Sequence, residues 1–321
     1  MKKTANRIGI IILLLVVFIY LNNTSLLVKP SEEKPLLLAH RGLGQTFPME
    51  GITGETNTAA IIYAPEHPYL ENTIASIEAA FAAGADVVEL DIHPTSDGHF
   101  VVFHDWILDY RTNGTGVVRE HSLQELKQLD VGYGYTADNG KTFPFRGKGI
   151  GLMPTLDEVL DAFPAEPLLI HIKSNDRQEG LQLAAFLAEL SPQRLEQLAV
   201  YGGDEPIAEL QEKLPELRVM SKATMKKALL TYMVVGWTGY VPEAIRFAEI
   251  YLPLKYARFL WGWPHRFVER MKQVDTRFIV VAGDGQWSEG FDTISDLEQL
   301  PKNYTGGIWT NRIDLIAPVY R

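Results

Sequence analysis

The sequence contains no cysteine. Disulfides, thiolate nucleophiles and cysteine-ligated zinc are therefore excluded, while an oxidising compartment would be tolerated. Positive charge is also in short supply. Acidic residues number 40 against 30 basic ones, a formal net charge of −10, and no broad basic patch is visible. Binding along a nucleic-acid backbone needs clustered cations, so no nucleic-acid partner is expected. Internal repeats and low-complexity tracts are missing too, which argues against solenoids and disordered arrays. Long hydrophobic runs are absent with one exception, at the start of the chain.

That exception is the apolar run over residues 8–21, preceded by Lys2, Lys3 and Arg7. A basic segment followed by a hydrophobic one is the pattern of a signal or anchor sequence. The run is short for a spanning helix, which needs about 20 residues. It can lengthen past Asn22 and Asn23 to Leu26, Leu27 and Val28. No small-x-small cleavage site follows Leu21, so an uncleaved signal anchor is expected; the alternative is a secreted or periplasmic protein after cleavage. The positive-inside tendency places residues 1–7 in the cytoplasm and the rest of the chain outside it. Setting Lys2, Lys3 and Arg7 aside takes the net charge from −10 to −13. A body that acidic should not cling electrostatically to an anionic bilayer, so membrane contact is expected through the N-terminal segment only. The expected organisation is an anchor and polar tether over residues 1–35, then one catalytic domain over 36–321; the oligomeric state is not legible.

Residues 36–39 form a short apolar run that reads as a buried strand ending at His40. Residues 43–70, rich in Gly, Pro, Thr and Glu, read as a long loop, a type that usually serves a site. Helical spacing over residues 72–83 stops at Gly84, a natural cap. A strand follows over 86–92. The turn Ser96-Asp97-Gly98 joins it to 99–103 by a link too short for a parallel crossover, so this segment should pair back as a hairpin. Further strands are expected at 168–172, 198–201, 217–220, 250–252, 278–282 and 307–310. Helical stretches at 177–190, 206–213, 265–272 and 294–300 separate most of them. Residues 131–151, rich in Gly and aromatics, read as an insertion loop. Eight strands, with the hairpin strand set aside, predict an α/β fold of the (β/α)8 TIM-barrel type. An open doubly wound sheet is the alternative.

Reactive residues of such a barrel gather at the C-terminal ends of the strands. Strand one runs into His40-Arg41-Gly42, and strand two carries Glu89-Leu90-Asp91. The hairpin ends in His104-Asp105, and the next barrel strand carries His171-Ile172-Lys173. Residues two apart on a strand face the same way. Glu89 and Asp91 are thus an inward carboxylate pair whose repulsion a divalent cation would relieve; pairing with Arg41 and Lys173 is the alternative. His171 and Lys173 share a face by the same rule. A lysine beside a metal and histidines suits an anion, and the planar fork of Arg41 suits phosphate. His67, His93 and His99 lie in loop or hairpin contexts where solvated polar residues are common.

Together with Glu71-Asn72-Thr73, Thr95-Ser96-Asp97-Gly98 and Val101-Val102-Phe103-His104-Asp105, these segments resemble the glycerophosphodiester phosphodiesterase family in order and spacing. The likeness runs from Leu36 to Leu315, through Pro154-Thr155-Leu156-Asp157-Glu158-Val159-Leu160 and Gly306-Gly307-Ile308-Trp309-Thr310-Asn311, and is least diagnostic in the middle third. It implies a (β/α)8 barrel that hydrolyses glycerophosphodiesters to glycerol 3-phosphate and an alcohol. It implies His40 and His104 as the acid–base pair, Glu89 and Asp91 as ligands of one divalent cation (calcium or magnesium), and Arg41 and Lys173 as phosphate contacts. The sequence departs from the family twice. His171 stands where a carboxylate is usual, so the metal set becomes Glu89, Asp91 and His171, and manganese or zinc become candidates. The 43–70 segment exceeds the usual short link and should reshape the alcohol side of the pocket. Two rival readings remain. One is a phospholipase D-like lyase, with Tyr256, Phe259, Trp261, Trp263 and Phe267 touching lipid. The other is a barrel that binds a phosphodiester without cleaving it.

Overall fold

The computed structural model describes residues 2–29, 32–284 and 289–321. Pro30 and Ser31 of the expected tether lie outside the described residues. One sheet holds β1 (Leu36–Ala39), β2 (Val87–Pro94), β3 (Phe100–Val102), β4 (Leu168–Ile172), β5 (Leu198–Gly202), β6 (Arg218–Ser221), β7 (Glu249–Pro253), β8 (Arg277–Val281) and β9 (Gly307–Thr310). Its hydrogen-bonded order is β6-β5-β4-β2-β1-β9-β8-β7, parallel throughout. The end strands β6 and β7 come side by side, so the sheet curls into a nearly closed eight-stranded barrel rather than an open doubly wound sheet. β3 stands outside this path and pairs antiparallel with β2, Ile92 opposite Val102, as the expected hairpin.

The period of two along each strand explains how the barrel sorts its residues. Leu38, Val87, Leu169, Ala199, Ile279 and Trp309 pack together inside it. Leu37, Ala39, Val88, Leu90 and Ile170 face the surrounding helices. Two residues further along the same inward faces come His40, Glu89, His171 and Tyr201, and β2 extends far enough to add Asp91. A dry apolar layer therefore underlies a polar one.

Expected helices occur at Ile74–Ala83, Arg177–Leu187, Asp204–Lys213, His265–Gln273 and Ile294–Leu297. A further helix, Lys222–Val235, escaped the periodicity reading. Its buried face holds Ala228, Leu229 and Tyr232, but Leu230, Met233 and Val234 point outward, so no clean apolar stripe marks it. Helix Ile74–Ala83 begins with a capping box between Thr73 and Ser76 and ends at Gly84 in the left-handed conformation.

A second apolar cluster lies on the site side of the hairpin. Ala59, Ile62 and Leu70 from the long loop join Val101, Phe103, Leu108, Val131, Tyr135, Phe145 and Met153. The segment over 131–151 is thus irregular but folded down onto this cluster. At the other end of the chain, helix Lys2–Asn23 is long and apolar enough to cross a membrane, and none of its most apolar stretch is buried. Among the described residues, hydrogen bonds tie its last turn to the body. Asn22 and Asn23 donate to the Trp237 carbonyl at 3.0 and 2.8 Å, and Arg270 donates to Asn23 Oδ1 and the Asn22 carbonyl at 3.0 and 2.8 Å.

Candidate active site

The chain leaves β1 in a sharp turn. Arg41 adopts φ +57° and Gly42 φ +77°. A Cβ on Gly42 would stand 2.7 Å from Ser76 Oγ, so only glycine lets the chain pass under the first turn of helix Ile74–Ala83. The turn aims the His40 and Arg41 side chains into the barrel mouth and points the Arg41 amide at Glu89 Oε2, 3.1 Å away.

His40 is held from the opposite edge of the same seam. Its Nδ1 donates to Asn311 Oδ1 at 2.7 Å. The Asn311 amide is itself oriented because Nδ2 donates to Asp292 Oδ2 at 2.9 Å and the backbone N–H to Asp292 Oδ1 at 2.6 Å. His40 Nε2 accepts from Arg41 Nε at 3.1 Å, and Trp309 lies against the ring at 4.9 Å between centroids. Burial, reinforced by Arg41, holds this imidazole well below its ordinary pKa, so it is neutral near pH 7.

His104 has a different partner. Its Nδ1 donates to Asp105 Oδ1 at 2.7 Å, leaving Nε2 for a substrate. Burial, followed by Arg41 and Lys173, pushes its pKa down to about 4. Burial alone would raise the Asp105 carboxyl, but Arg111 and the His104 hydrogen bond overcome it and keep Asp105 ionised. Arg111 is fully enclosed. It pairs closely with Asp105 Oδ2, and also donates to Tyr135 Oη at 3.0 Å and Thr58 Oγ1 at 2.8 Å, with Glu71 at 3.4 Å. Glu71 also takes Arg41 Nη1 at 3.1 Å, so one buried carboxylate couples the two arginines.

Glu89 and Asp91 project from adjacent inward positions of β2, 0% and 1% exposed. Burial first, and the neighbouring Asp91 second, push the Glu89 carboxyl up to about 8. Asp91 goes the other way: burial opposes ionisation, but Lys173, His104 and Arg41 outweigh it. Asn72, itself at φ +58°, donates to Asp91 Oδ2 and accepts the Asp91 amide, both at 3.1 Å. Lys173 Nζ stands 3.5 Å from Asp91 Oδ1. His171 lies flat on Tyr201, rings 4.1 Å apart and 9° from parallel, with Nδ1 2.8 Å from Asp91 Oδ1 and 3.9 Å from Glu89 Oε1. Tyr201 Oη donates to Glu89 Oε1 at 2.8 Å.

One donor atom each from Glu89, Asp91 and His171 falls within 4.8 Å of the others. Two buried carboxylates, one of them driven toward protonation by burial and then by the other, make a donor set that with His171 fits a divalent cation. All seven residues singled out from the sequence thus converge on the barrel mouth. His40, Arg41, His104 and Lys173 line a cavity of 460 Å³ there, and its outer wall comes from the long loop, including Phe47, Met49 and Ile52. Trp106, Ile107 and Tyr110 complete the apolar side. His93 is buried behind His104 with its pKa driven down to about 3, burial first and Lys173 next. None of Tyr256, Phe259, Trp261, Trp263 and Phe267 lines the cavity; Trp263 and Phe267 pack into the core against Phe278. Sequence reasoning gave no roles to Asp105, Arg111, Tyr201 and Asp292. Asp105 and Asn311 stood inside quoted motifs, but nothing in the spacing signalled Arg111.

The nearly closed parallel barrel thus carries two histidines, two inward carboxylates and two cations at its mouth. The profile of the Glycerophosphoryl diester phosphodiesterase family matches residues 40–226, and the chain belongs to that family. A glycerophosphodiester phosphodiesterase of Bacillus subtilis strain 168 is 36% identical over 169 residues, 51% of this chain and 48% of the relative. The match spans about half the length of that relative. Among solved structures, the glycerophosphoryl diester phosphodiesterase domain of an uncharacterized Mycobacterium tuberculosis protein superposes with a TM-score of 0.64 at 18% identity, covering 90% of this chain and 100% of that one. An Oleispira antarctica phosphodiesterase solved with sn-glycerol-3-phosphate gives 0.53 at 18% identity, covering 88% and 94%. At these identities the superpositions speak for the fold.

Proposed function

We propose that the region over 36–321 hydrolyses glycerophosphodiesters to glycerol 3-phosphate and an alcohol, and that residues 1–35 anchor it with the catalytic region outside the cytoplasm. The observation that carries the catalytic reading is the pair of histidines, His40 buried and His104 partly so, each fixed by its own partner and opening with Arg41 and Lys173 onto one cavity.

Arg41 and Lys173 would bind the anionic phosphate; Arg41 is already aligned by Glu71 and Asp91. Glu89, Asp91 and His171 would hold one divalent cation, which when bound would supply positive charge to offset that of the phosphate. An imidazole among the donors favours manganese or zinc over calcium or magnesium. The two histidines divide the proton transfers: one, entering neutral, removes the proton of the attacking oxygen, and the other, entering as the imidazolium that a bound anionic phosphate favours, protonates the leaving alkoxide. Asp105 stabilises the charged form of His104, while Asn311 fixes the tautomer of His40 so that Nε2 carries the lone pair.

The test is release of glycerol 3-phosphate from a panel of glycerophosphodiesters, followed by phosphorus NMR. His40→Ala and His104→Ala are each expected to lower kcat by a factor of about 100 or more, the usual scale for a lost acid or base. Near-normal turnover by both variants sinks the scheme. Accumulation of a cyclic phosphate instead of glycerol 3-phosphate favours a lyase.

A further inference from the structure

The negative charge of the body is unevenly placed. No Asp or Glu occurs over residues 217–242 or 250–268, although both stretches contain Lys or Arg. The first includes helix Lys222–Val235, with Lys222, Lys226 and Lys227 exposed, and the second includes Lys255 and Arg258. Large apolar side chains stand in solvent on the same stretches. Val234 is 72% exposed and Phe259 64%, with Leu230, Met233, Tyr240 and Tyr256 also exposed. Leu230, Met233 and Val234 are spaced three and four apart, so they share one outward face of the helix. A contiguous exposed apolar face on a folded protein marks an interaction surface.

The neighbours of this surface identify its occupant. Trp237, two residues past the end of helix Lys222–Val235, carries the carbonyl that takes both Asn22 and Asn23. Ser25 continues the attachment, its Oγ accepting the His265 amide at 3.2 Å. Leu26, 82% exposed, and Leu27 follow directly. Trp261 Nε1 donates to the Met233 carbonyl at 2.8 Å and ties the second stretch to the end of the helix. The apolar N-terminal helix therefore emerges within one turn of the exposed face. Buried Arg270 locks the junction by also donating to the Gly236 carbonyl and Tyr232 Oη, each at 3.0 Å.

We infer that the outward face of helix Lys222–Val235, with Phe259, Leu26 and Leu27, lies in the interfacial layer of the same bilayer that holds helix Lys2–Asn23. An apolar face rimmed by lysines, on a helix whose own sequence carries no carboxylate, is the composition of an interfacial helix, and acid-free basic stretches complement anionic headgroups. The net charge of −13 hides this because it averages over the whole body. The inference rests on the anchor reading, and the test separates the two.

The absence of cysteine permits single-site labelling of the full chain. Leu14→Cys, Leu230→Cys, Val234→Cys and Phe259→Cys would each carry one fluorophore. Glu78→Cys, on the helix between β1 and β2, and Ile294→Cys, an exposed apolar position elsewhere, serve as controls. The β1–β2 side lies across the barrel from β6 and β7. The protein is reconstituted in phosphatidylcholine–phosphatidylglycerol vesicles containing nitroxide-labelled acyl chains. Labels at 14, 230, 234 and 259 are expected to be quenched several-fold more than those at 78 and 294. Quenching at 14 but not at 230, 234 and 259 overturns the surface and leaves the anchor standing. No quenching at 14 overturns both. Shielding of 230, 234 and 259 from aqueous iodide without nitroxide quenching means that protein covers the face, and also overturns the inference.

Discussion

Arg111 shows how much of this site depends on a residue with no reactive role. It lies between Asp105 and Glu71, and through them touches the settings of both His104 and Arg41. Arg111→Met would leave two buried carboxylates without their shared counter-charge, a loss on the scale of 3–5 kcal/mol for a broken buried pair. The expected outcome is a lower melting temperature and at least a tenfold fall in kcat; Arg111→Lys should restore part of the stability but less of the rate, because a lysine cannot span Asp105, Thr58 and Tyr135 at once. Unchanged kcat in a folded Arg111→Met protein would remove its positioning role. His171 makes a second prediction at this scale. Replacing its imidazole by a carboxylate, His171→Glu, should shift the activating metal from manganese or zinc toward calcium or magnesium, read as turnover with each ion in turn. If the preference matches the unaltered chain, His171 is not a ligand.

At the scale of elements, the loop over 43–70 shapes the cavity. It reaches over the mouth and supplies Phe47, Met49 and Ile52 to the cavity wall opposite the histidines. Phe47→Ala and Ile52→Ala are expected to raise KM several-fold for diesters with a large apolar alcohol and to leave small polar alcohols nearly unaffected. Equal effects on both classes would assign the loop to general stability instead. The strands and most helices were legible because their patterns are clean: residues 168–172 are apolar but for His171, and Thr73 and Gly84 bracket their helix. Helix Lys222–Val235 was not, since apolar residues cover two of its faces. The seven proposed site residues were legible because each lies at a strand end with a motif around it. Arg111 and Asp292 were not, because their partners lie in other segments and only tertiary packing brings them together.

At the scale of the whole molecule, three parts meet through a few polar ties: the apolar N-terminal helix, the barrel, and the second apolar cluster over its mouth. The first junction turns on Arg270, which is 5% exposed and satisfies acceptors from Asn22, Asn23, Tyr232 and Gly236 together. Arg270→Met should cost about 2–3 kcal/mol through unmet carbonyls. It should also speed cleavage by a glutamate-specific protease at Glu32 and Glu33 relative to sites in the barrel, measured by a digestion time course; an unchanged cleavage order would show that the junction is held by other contacts. Within the barrel, the seam between β1 and β9 has a consequence for biogenesis. His40 is oriented by Asn311, 271 residues later in the chain, and packs on Trp309 of the last strand. A polypeptide made or threaded across a membrane from its N-terminus exposes its first histidine early and its orienting partner almost last. The geometry that orients His40 is therefore withheld until residue 311 has emerged, and a copy ended before that point lacks it.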